Sequence, residues 1–285
     1  MKTAIALVLA LIACLTALWN PHLPEQSESY PVVEWTIDGQ KRQAIVIPPA
    51  SGSKQGAPVL FVFHGAGGNM YRMAGLGFQK HWNEAFIVCP QALPAPVRRD
   101  PQGNLPAWQI RTDSLNNRDL KFFDAILKTL REQHQIDEKR VYVTGHSNGG
   151  FFTYLLWAER GDQLAAIAPS ASHANAIRAR LSSLRPLPIM HIAGEQDTTI
   201  PFRNQRQSMD AIKQSLQCEP EGKLWAKVGS LTATLYPSRK GVPFVEVIHP
   251  GDHKYPGDAP ALIVRFFKEL AKGASTSPVP SGASN

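Results

Sequence analysis

Gly145-His146-Ser147-Asn148-Gly149 is the stretch of this chain best suited to chemistry. A β-branched apolar run, Val141-Tyr142-Val143-Thr144, leads into it, and an apolar, helix-prone segment follows as far as Glu159. A serine in a Gly-x-Ser-x-Gly turn between strand and helix is exposed on a sharp, strained bend, where it can act as a nucleophile. Side chains two residues to either side would collide, so glycine at Gly145 and Gly149 relieves the turn. A serine hydroxyl is a weak nucleophile near neutral pH. It needs a base within hydrogen-bond reach, and that base must itself be oriented by a third group.

Candidates for both partners lie downstream. The apolar run over 188–194 opens into Glu195-Gln196-Asp197-Thr198-Thr199-Ile200-Pro201. Asp197 stands in the turn just past a predicted strand, where an orienting acid belongs; Glu195 is its nearest competitor, and a turn-capping carboxylate is the plain alternative. His253 lies in the Gly- and Pro-bounded segment Pro250-Gly251-Asp252-His253-Lys254-Tyr255-Pro256 and is the candidate base. His249 still belongs to the preceding strand, where it could be packed structurally. Acyl transfer also needs donors aimed at a developing oxyanion. The amide of Asn148, at the start of the helix, is one candidate, and the amide of Ala66 in His64-Gly65-Ala66-Gly67-Gly68 is the other. Trp108 and His173 are candidates to line a substrate groove, with an aromatic packed on the surface as the alternative for Trp108 and a spectator role as the alternative for His173, and His146 is expected to pack beside the nucleophile. His249, Asp252 and His253 lack a third well-spaced ligand, so no metal is expected. No cofactor is implied.

Elements able to position these residues alternate along the chain. Residues 32–37 and 43–47 read as a hairpin across Asp38-Gly39. Val59-Leu60-Phe61-Val62-Phe63-His64 is a continuous apolar strand, as expected of one buried on both faces, and runs into the glycine turn. Phe86-Ile87-Val88-Cys89 is the next strand. An irregular stretch over 91–116 carries Arg98, Arg99, Trp108 and Arg111, and loops this long inside a compact domain are commonly functional. Leu120, Phe123, Ile126, Leu127 and Leu130 recur at helical spacing over 118–132. Beyond the nucleophile come strands at 164–169 and 188–194, a helix over 204–217 and a weakly patterned section over 218–239. A strand at 245–248 and a helix over 261–270 close the pattern. Such alternation predicts a mostly parallel sheet with helices on both faces.

The length of 285 residues fits one large α/β domain, expected over 32–272, after a polar tether at 20–31 and before a low-complexity, disordered tail at 273–285. The net charge of +7 is scattered in pairs such as Lys41-Arg42 and Arg98-Arg99, without the stripe or module that a nucleic-acid partner requires. Met1-Lys2 precedes an apolar run from Ala4 to Trp19 that is short for a membrane span. Residues 1–19 therefore read as an export signal or anchor, placing the protein in the periplasm or outside the cell. Leu11-Ile12-Ala13-Cys14 is similar to a bacterial lipoprotein box, so lipidation of Cys14 and membrane anchoring stand beside ordinary cleavage or a retained anchor. Three cysteines make no disulfide framework, although an oxidising compartment would permit a bridge between Cys89 and Cys218.

Four pieces carry a family resemblance: 63–69, Arg140-Val141-Tyr142-Val143-Thr144-Gly145-His146-Ser147-Asn148-Gly149-Gly150, 165–169, and 194–201. Through them the chain from Val59 to Phe267 resembles the α/β-hydrolase superfamily, and more narrowly its polyhydroxybutyrate depolymerase and feruloyl-esterase-like group. The resemblance implies an α/β-hydrolase fold with Ser147, Asp197 and His253 as a triad. It implies a serine esterase acting through an acyl-enzyme on Ser147, with a small-molecule or polymeric ester as partner. Asp252 and Tyr255 stand where the family usually has glycine and tryptophan. Peptidase or acyltransferase chemistry on the same triad is the enzymatic alternative, and a non-catalytic binding protein the other. Only 170–187 separates two predicted strands, which leaves little or no cap. An open groove for short-acyl, hydroxyacyl or aromatic-acid esters is expected.

Overall fold

The computed structural model describes residues 30–51 and 54–270. The expected export segment, Cys14, most of the tether and the tail lie outside the described residues. In chain order the elements are β1 (Val32–Ile37), β2 (Gln40–Ile47), β3 (Val59–Phe63), α1 (Met70–Ala74), α2 (Phe78–His81) and β4 (Phe86–Pro90). There follow α3 (Arg118–His134), β5 (Val141–His146), α4 (Asn148–Arg160), β6 (Ala166–Ser170), β7 (Ile189–Gly194) and α5 (Phe202–Ser215). The chain closes with β8 (Lys223–Val228), β9 (Leu231–Tyr236), β10 (Phe244–His249) and α6 (Ala259–Glu269).

One ten-stranded sheet runs in the order β1-β2-β4-β3-β5-β6-β7-β10-β9-β8. Its centre, from β4 to β10, is parallel. Antiparallel pairs finish each edge. Side chains alternate across the central strands, and both faces are dry. Val59, Phe61, Phe63, Val141 and Val143 meet Phe123, Ile126 and Leu127 of α3, Phe152 and Leu156 of α4, and Ile212 of α5. Leu60, Val62 and Tyr142 meet Met70 of α1, Phe78 of α2, and Leu262 and Phe267 of α6. The helices on both faces of a mostly parallel sheet are what the alternation of elements predicts, and the arrangement is the α/β-hydrolase fold that the family resemblance implies. Only a short 3-10 turn at Asn175–Ser183 fills the space between β6 and β7 where a cap would stand.

Several details differ from expectation. The weakly patterned section over 218–239 forms the β8–β9 hairpin, turning at Gly229 with φ 55°. β8 lies at the sheet edge with Leu224 exposed, so its alternation of buried and exposed residues is blurred. The helices α1 and α2 also occupy a stretch whose spacing gives no clear period. The fold starts before residue 32, because Val46 N donates to Pro31 O at 3.0 Å and Tyr30 packs on the core. Cys89 and Cys218 are free thiols. They pack against opposite faces of the sheet, which rules out a bridge between them.

The stretch over 91–116 is ordered without being regular, and a buried ion pair anchors its end. Arg42 Nη2 meets Asp119 Oδ1 at 2.8 Å with both side chains shielded from water. Asp119 Oδ2 accepts Gln109 N at 2.8 Å, and Arg42 Nη1 donates to Arg118 O at 3.1 Å. Burial lowers the proton affinity of Arg42, and the Asp119 charge opposes that. Removing one member strands the other charge in a dry site. Asp119→Ala should therefore cost about 3–5 kcal/mol of folding stability, read from the urea midpoint. A loss below about 1 kcal/mol would mean that solvent reaches Arg42.

Candidate active site

Ser147 has φ 54° and ψ −116°, a conformation that side-chain-bearing residues avoid. Close packing imposes it. A Cβ at Gly145 would lie 2.3 Å from Gly149 O, and one at Gly149 would lie 2.4 Å from Phe63 O. β3, the end of β5 and the start of α4 can therefore meet only if those positions lack side chains. Ser147 N donates to Ser170 O of β6 at 2.9 Å, which fixes the bend over the C-terminal edge of the sheet.

Two loops bring partners to that edge. Asp197 follows β7 in a tight turn, Asp197 N to Gly194 O at 3.2 Å, and its side chain is buried, whereas Glu195 is exposed. His253 lies between β10 and α6. A Cβ at Gly194 would meet Gly251 O at 2.5 Å, so glycine there lets the two loops pack directly. Ser147 Oγ stands 2.9 Å from His253 Nε2, and His253 Nδ1 stands 2.8 Å from Asp197 Oδ2. His249 is held elsewhere: its Nδ1 accepts Gly251 N at 3.2 Å. Burial alone would raise the Asp197 carboxyl, yet hydrogen bonds from His253, Ile200 N and Gln205 together hold it below the usual carboxylate range. It stays ionised beside the imidazole.

The structure adds a residue that the spacing did not single out. Gln205, fully buried on α5, donates from Nε2 to Asp197 Oδ2 at 3.0 Å and to Ile200 O at 2.7 Å. Its Oε1 then faces His191 Nε2 at 3.4 Å, and His191 Nδ1 meets Tyr154 OH at 2.5 Å. An ionised Asp197 can only accept, so the chain has one direction. Tyr154 donates to His191, His191 to Gln205, and Gln205 to Asp197. Burial pushes His191 down to about 4, which keeps it neutral in this chain. A lone glutamine on an amphipathic helix gives no sequence signal for this.

The turn after β3 lies against the nucleophile, since a Cβ at Gly65 would stand 3.4 Å from Ser147 Cβ. Ala66 is in that turn. Asn148 opens α4, and an amide at the first helical position has no intrahelical acceptor. Asn148 has a second use: its Oδ1 accepts Trp108 N at 2.6 Å and its Nδ2 donates to Trp108 O at 3.1 Å. Trp108 is therefore a correction. Its indole is 2 % exposed, packs edge-on against Phe63 and stacks on Phe152, and donates from Nε1 to His64 O at 2.9 Å. It belongs to the core under the turn, not to a groove wall. His64 is likewise structural: Nδ1 bonds Gly65 O at 2.7 Å, Nε2 accepts Ala92 N at 3.1 Å, and burial lowers it to about 4. His173 lines a cavity of about 180 Å³ together with Phe151, Tyr154, Ile110 and Arg111, with its ring edge-on to Phe151. His146 packs 5.0 Å from the His253 ring. Among the described residues no cluster of three or more His, Cys, Asp or Glu is placed to hold a metal ion.

A family model described as phospholipase/carboxylesterase matches residues 43–229. The chain belongs to that family. This carboxylesterase-family chain is 28% identical over 136 residues to a bifunctional acetylxylan esterase/xylanase from Neocallimastix patriciarum, covering 48% of this chain and 18% of that one. It is 24% identical over 235 residues to feruloyl esterase D from Neurospora crassa, covering 78% and 77%. The chain spans half or less of the length of several curated relatives it matches. Among solved structures, S-formylglutathione hydrolase from Staphylococcus aureus aligns with a TM-score of 0.59 at 13% identity, covering 84% of this chain and 96% of that one. At that identity the likeness speaks for the fold.

Gln205 supplies a direct test of how the acid is held. Gln205→Leu should lower kcat for ester hydrolysis about tenfold while KM stays within about threefold, because the lost donor orients Asp197 without reaching substrate. An unchanged kcat would show that the Ile200 amide and His253 suffice.

Proposed function

We propose that this protein is an exported serine esterase that cleaves carboxylic esters through an acyl-enzyme on Ser147. The observation that carries this reading is the unbroken path from Ser147 Oγ through His253 to Asp197, at 2.9 and 2.8 Å. On this reading His253 Nε2 takes the hydroxyl proton as Ser147 Oγ attacks the ester carbonyl, and Asp197 orients the imidazole. The carbonyl oxygen becomes an oxyanion facing the amides of Ala66 and Asn148. Its collapse breaks the C–O bond, and His253 returns the proton to the departing alcohol. Water, deprotonated by the same imidazole, then releases the acid and restores the serine hydroxyl. The export part of the reading rests on the pattern of residues 1–19, with Cys14 as the candidate lipid attachment point.

Two features favour compact substrates. The segment between β6 and β7 is too short to wall in a long chain, and each methylene left in water forgoes about 0.8 kcal/mol of burial. The cavity beside α4, about 180 Å³ and lined by Phe151, Ile110 and His173, has no triad residue in its lining and adjoins the nucleophile's helix through Phe151, whose amide donates to Ser147 O; its volume is close to that of an engineered cavity of about 150 Å³ that admits benzene. A short acyl group, a hydroxyacyl unit or one aromatic ring fits this scale. The esterase names of the acetylxylan and feruloyl relatives agree with such substrates.

Ser147→Ala should lower kcat at least about 10³-fold and leave the protein folded. His253→Ala should fall comparably, whereas His249→Ala should stay within about tenfold of wild type; the reverse ranking would reassign the base. On 4-nitrophenyl esters, kcat/KM should decline once the acyl chain exceeds about six to eight carbons. A rate that kept climbing to about sixteen carbons would instead indicate an enclosed acyl tunnel.

A further inference from the structure

The segment over 91–109 ends its outward excursion in a built hairpin tip. Val97 and Asp100 exchange both backbone hydrogen bonds, at 3.0 and 2.9 Å, leaving Arg98 and Arg99 as the two turn residues. The base of the hairpin is fixed to the turn after β3 by Gly67 N donating to Pro106 O at 2.8 Å. From the tip the guanidinium groups diverge. Arg98 Nη2 reaches Thr199 O at 3.4 Å, in the loop that carries Asp197. Arg99 Nη2 donates to Ala66 O, and a Cβ at Gly67 would stand 2.7 Å from that same nitrogen. The turn so contacted is the one that touches Ser147. The pair therefore bridges the two loops on either side of the nucleophile.

Both arginines are exposed, and among the described residues neither has a carboxylate at ion-pair distance. The adjacent Asp100 is turned back into its own hairpin, accepting Leu105 N at 2.7 Å and Asn104 Nδ2 at 3.4 Å. Glu195 and Asp252 are the exposed carboxylates nearest the triad in sequence. They lie around His249, and Lys254 pairs with Asp252 at 3.4 Å. Each guanidinium carries five donors, and one donor from each meets a neutral carbonyl. Two uncompensated cations on the loops that flank Ser147 raise the local concentration of anions there, and the planar fork matches a carboxylate.

We propose that the preferred ester carries a free carboxylate, bound by Arg98 and Arg99 beside the reacting carbonyl. This rests on the serine-esterase reading and narrows it to half-esters of diacids or acid-ended oligoesters. Hydrolysing a chain of hydroxyacyl units leaves a carboxylate on the acid side of each cut, so the short oligomers of such a chain, from the dimer upward, belong to this class.

The test uses the full chain and two matched pairs of esters, each corrected for its alkaline hydrolysis rate. Mono-4-nitrophenyl adipate against 4-nitrophenyl hexanoate places the charge on the acyl half. 3-Carboxyphenyl acetate against phenyl acetate places it on the leaving half. The expected result is a kcat/KM preference for the acid of about tenfold in one pair at low ionic strength, shrinking as salt screens it. Arg98→Gln with Arg99→Gln should bring the acid-to-neutral ratio below about twofold, whatever happens to the neutral rate. Arg98→Lys with Arg99→Lys should retain part of the preference because the charge remains. Neutral esters turned over with no preference for either acid would overturn the proposal and leave the esterase reading standing. So would a preference that survives the glutamine substitutions. No turnover of any of the four esters would overturn both readings.

Discussion

The backbone of Ser147, at φ 54° and ψ −116°, is the constraint on which the rest of the site depends. Such a conformation costs on the order of 1–3 kcal/mol and persists only where its surroundings over-determine it. Here they do. Ser147 N is taken by Ser170 O, Phe151 N is taken by Ser147 O, and the flanking glycines sit against backbone that leaves no room for a Cβ. The same crowding sets the neighbourhood. Because Gly149 rests on the carbonyls of Phe63 and His64, the turn that follows β3 must pass directly beside the nucleophile. The bend that exposes the hydroxyl thus also delivers the glycine turn with its backbone amides.

An irregular segment can hold a rigid position only if its backbone polar groups find partners. The segment over 91–116 obtains them from side chains of the turn after β3, of α3 and of α4. His64 accepts the Ala92 amide, Asn148 closes a two-point contact with Trp108, and Asp119 accepts the Gln109 amide. Arg42 then neutralises Asp119 in the dry space behind. Trp108 ties the system to the core through its ring and to the turn through its Nε1. In a medium of low dielectric each such bond is strong when made and costly when lost. Positioning by polar contacts therefore does here what a regular element would do elsewhere, and it holds the tip at Arg98 and Arg99 against the Asp197 loop and the turn after β3.

How much of this was legible in the sequence follows from the kind of signal each part emits. β3, β5 and β7 are buried on both faces, so they read as unbroken apolar runs and anchor the glycine turn, the bend and the acid loop. Asp197 was identifiable by following β7 to its end and His253 by following β10 to its end, and the structure brings both to Ser147. β8 was not legible, because an edge strand with Lys223 and Leu224 in water shows little alternation. Trp108 looked like a groove residue because an aromatic in a long loop is expected at the surface. Its burial depends on Asn148, Phe63 and Phe152, which are distant in the chain. Gln205 escaped notice for a related reason: one polar residue on the buried face of a helix says nothing about what it meets.

The histidines around the site differ in what they can do, and burial makes the difference. His146 packs 5.0 Å from His253 and is pushed down to about 3, mainly by burial and further by the His253 charge. His64 and His191 are both held at about 4 by burial. None of the three takes up a proton near neutrality, so a proton leaving Ser147 has one imidazole to go to. On the proposed mechanism, a second charged ring beside His253 would oppose the cation that forms there during acyl transfer. The same arrangement has a consequence for the whole fold. An unfolded chain binds protons at these histidines below about pH 6.5, whereas the folded chain refuses them until pH 4 or lower. Each depressed value therefore contributes stability that is complete above the unfolded value and is lost as the pH falls through the folded one. Keeping a single proton acceptor at the nucleophile and losing stability in acid are two results of one burial.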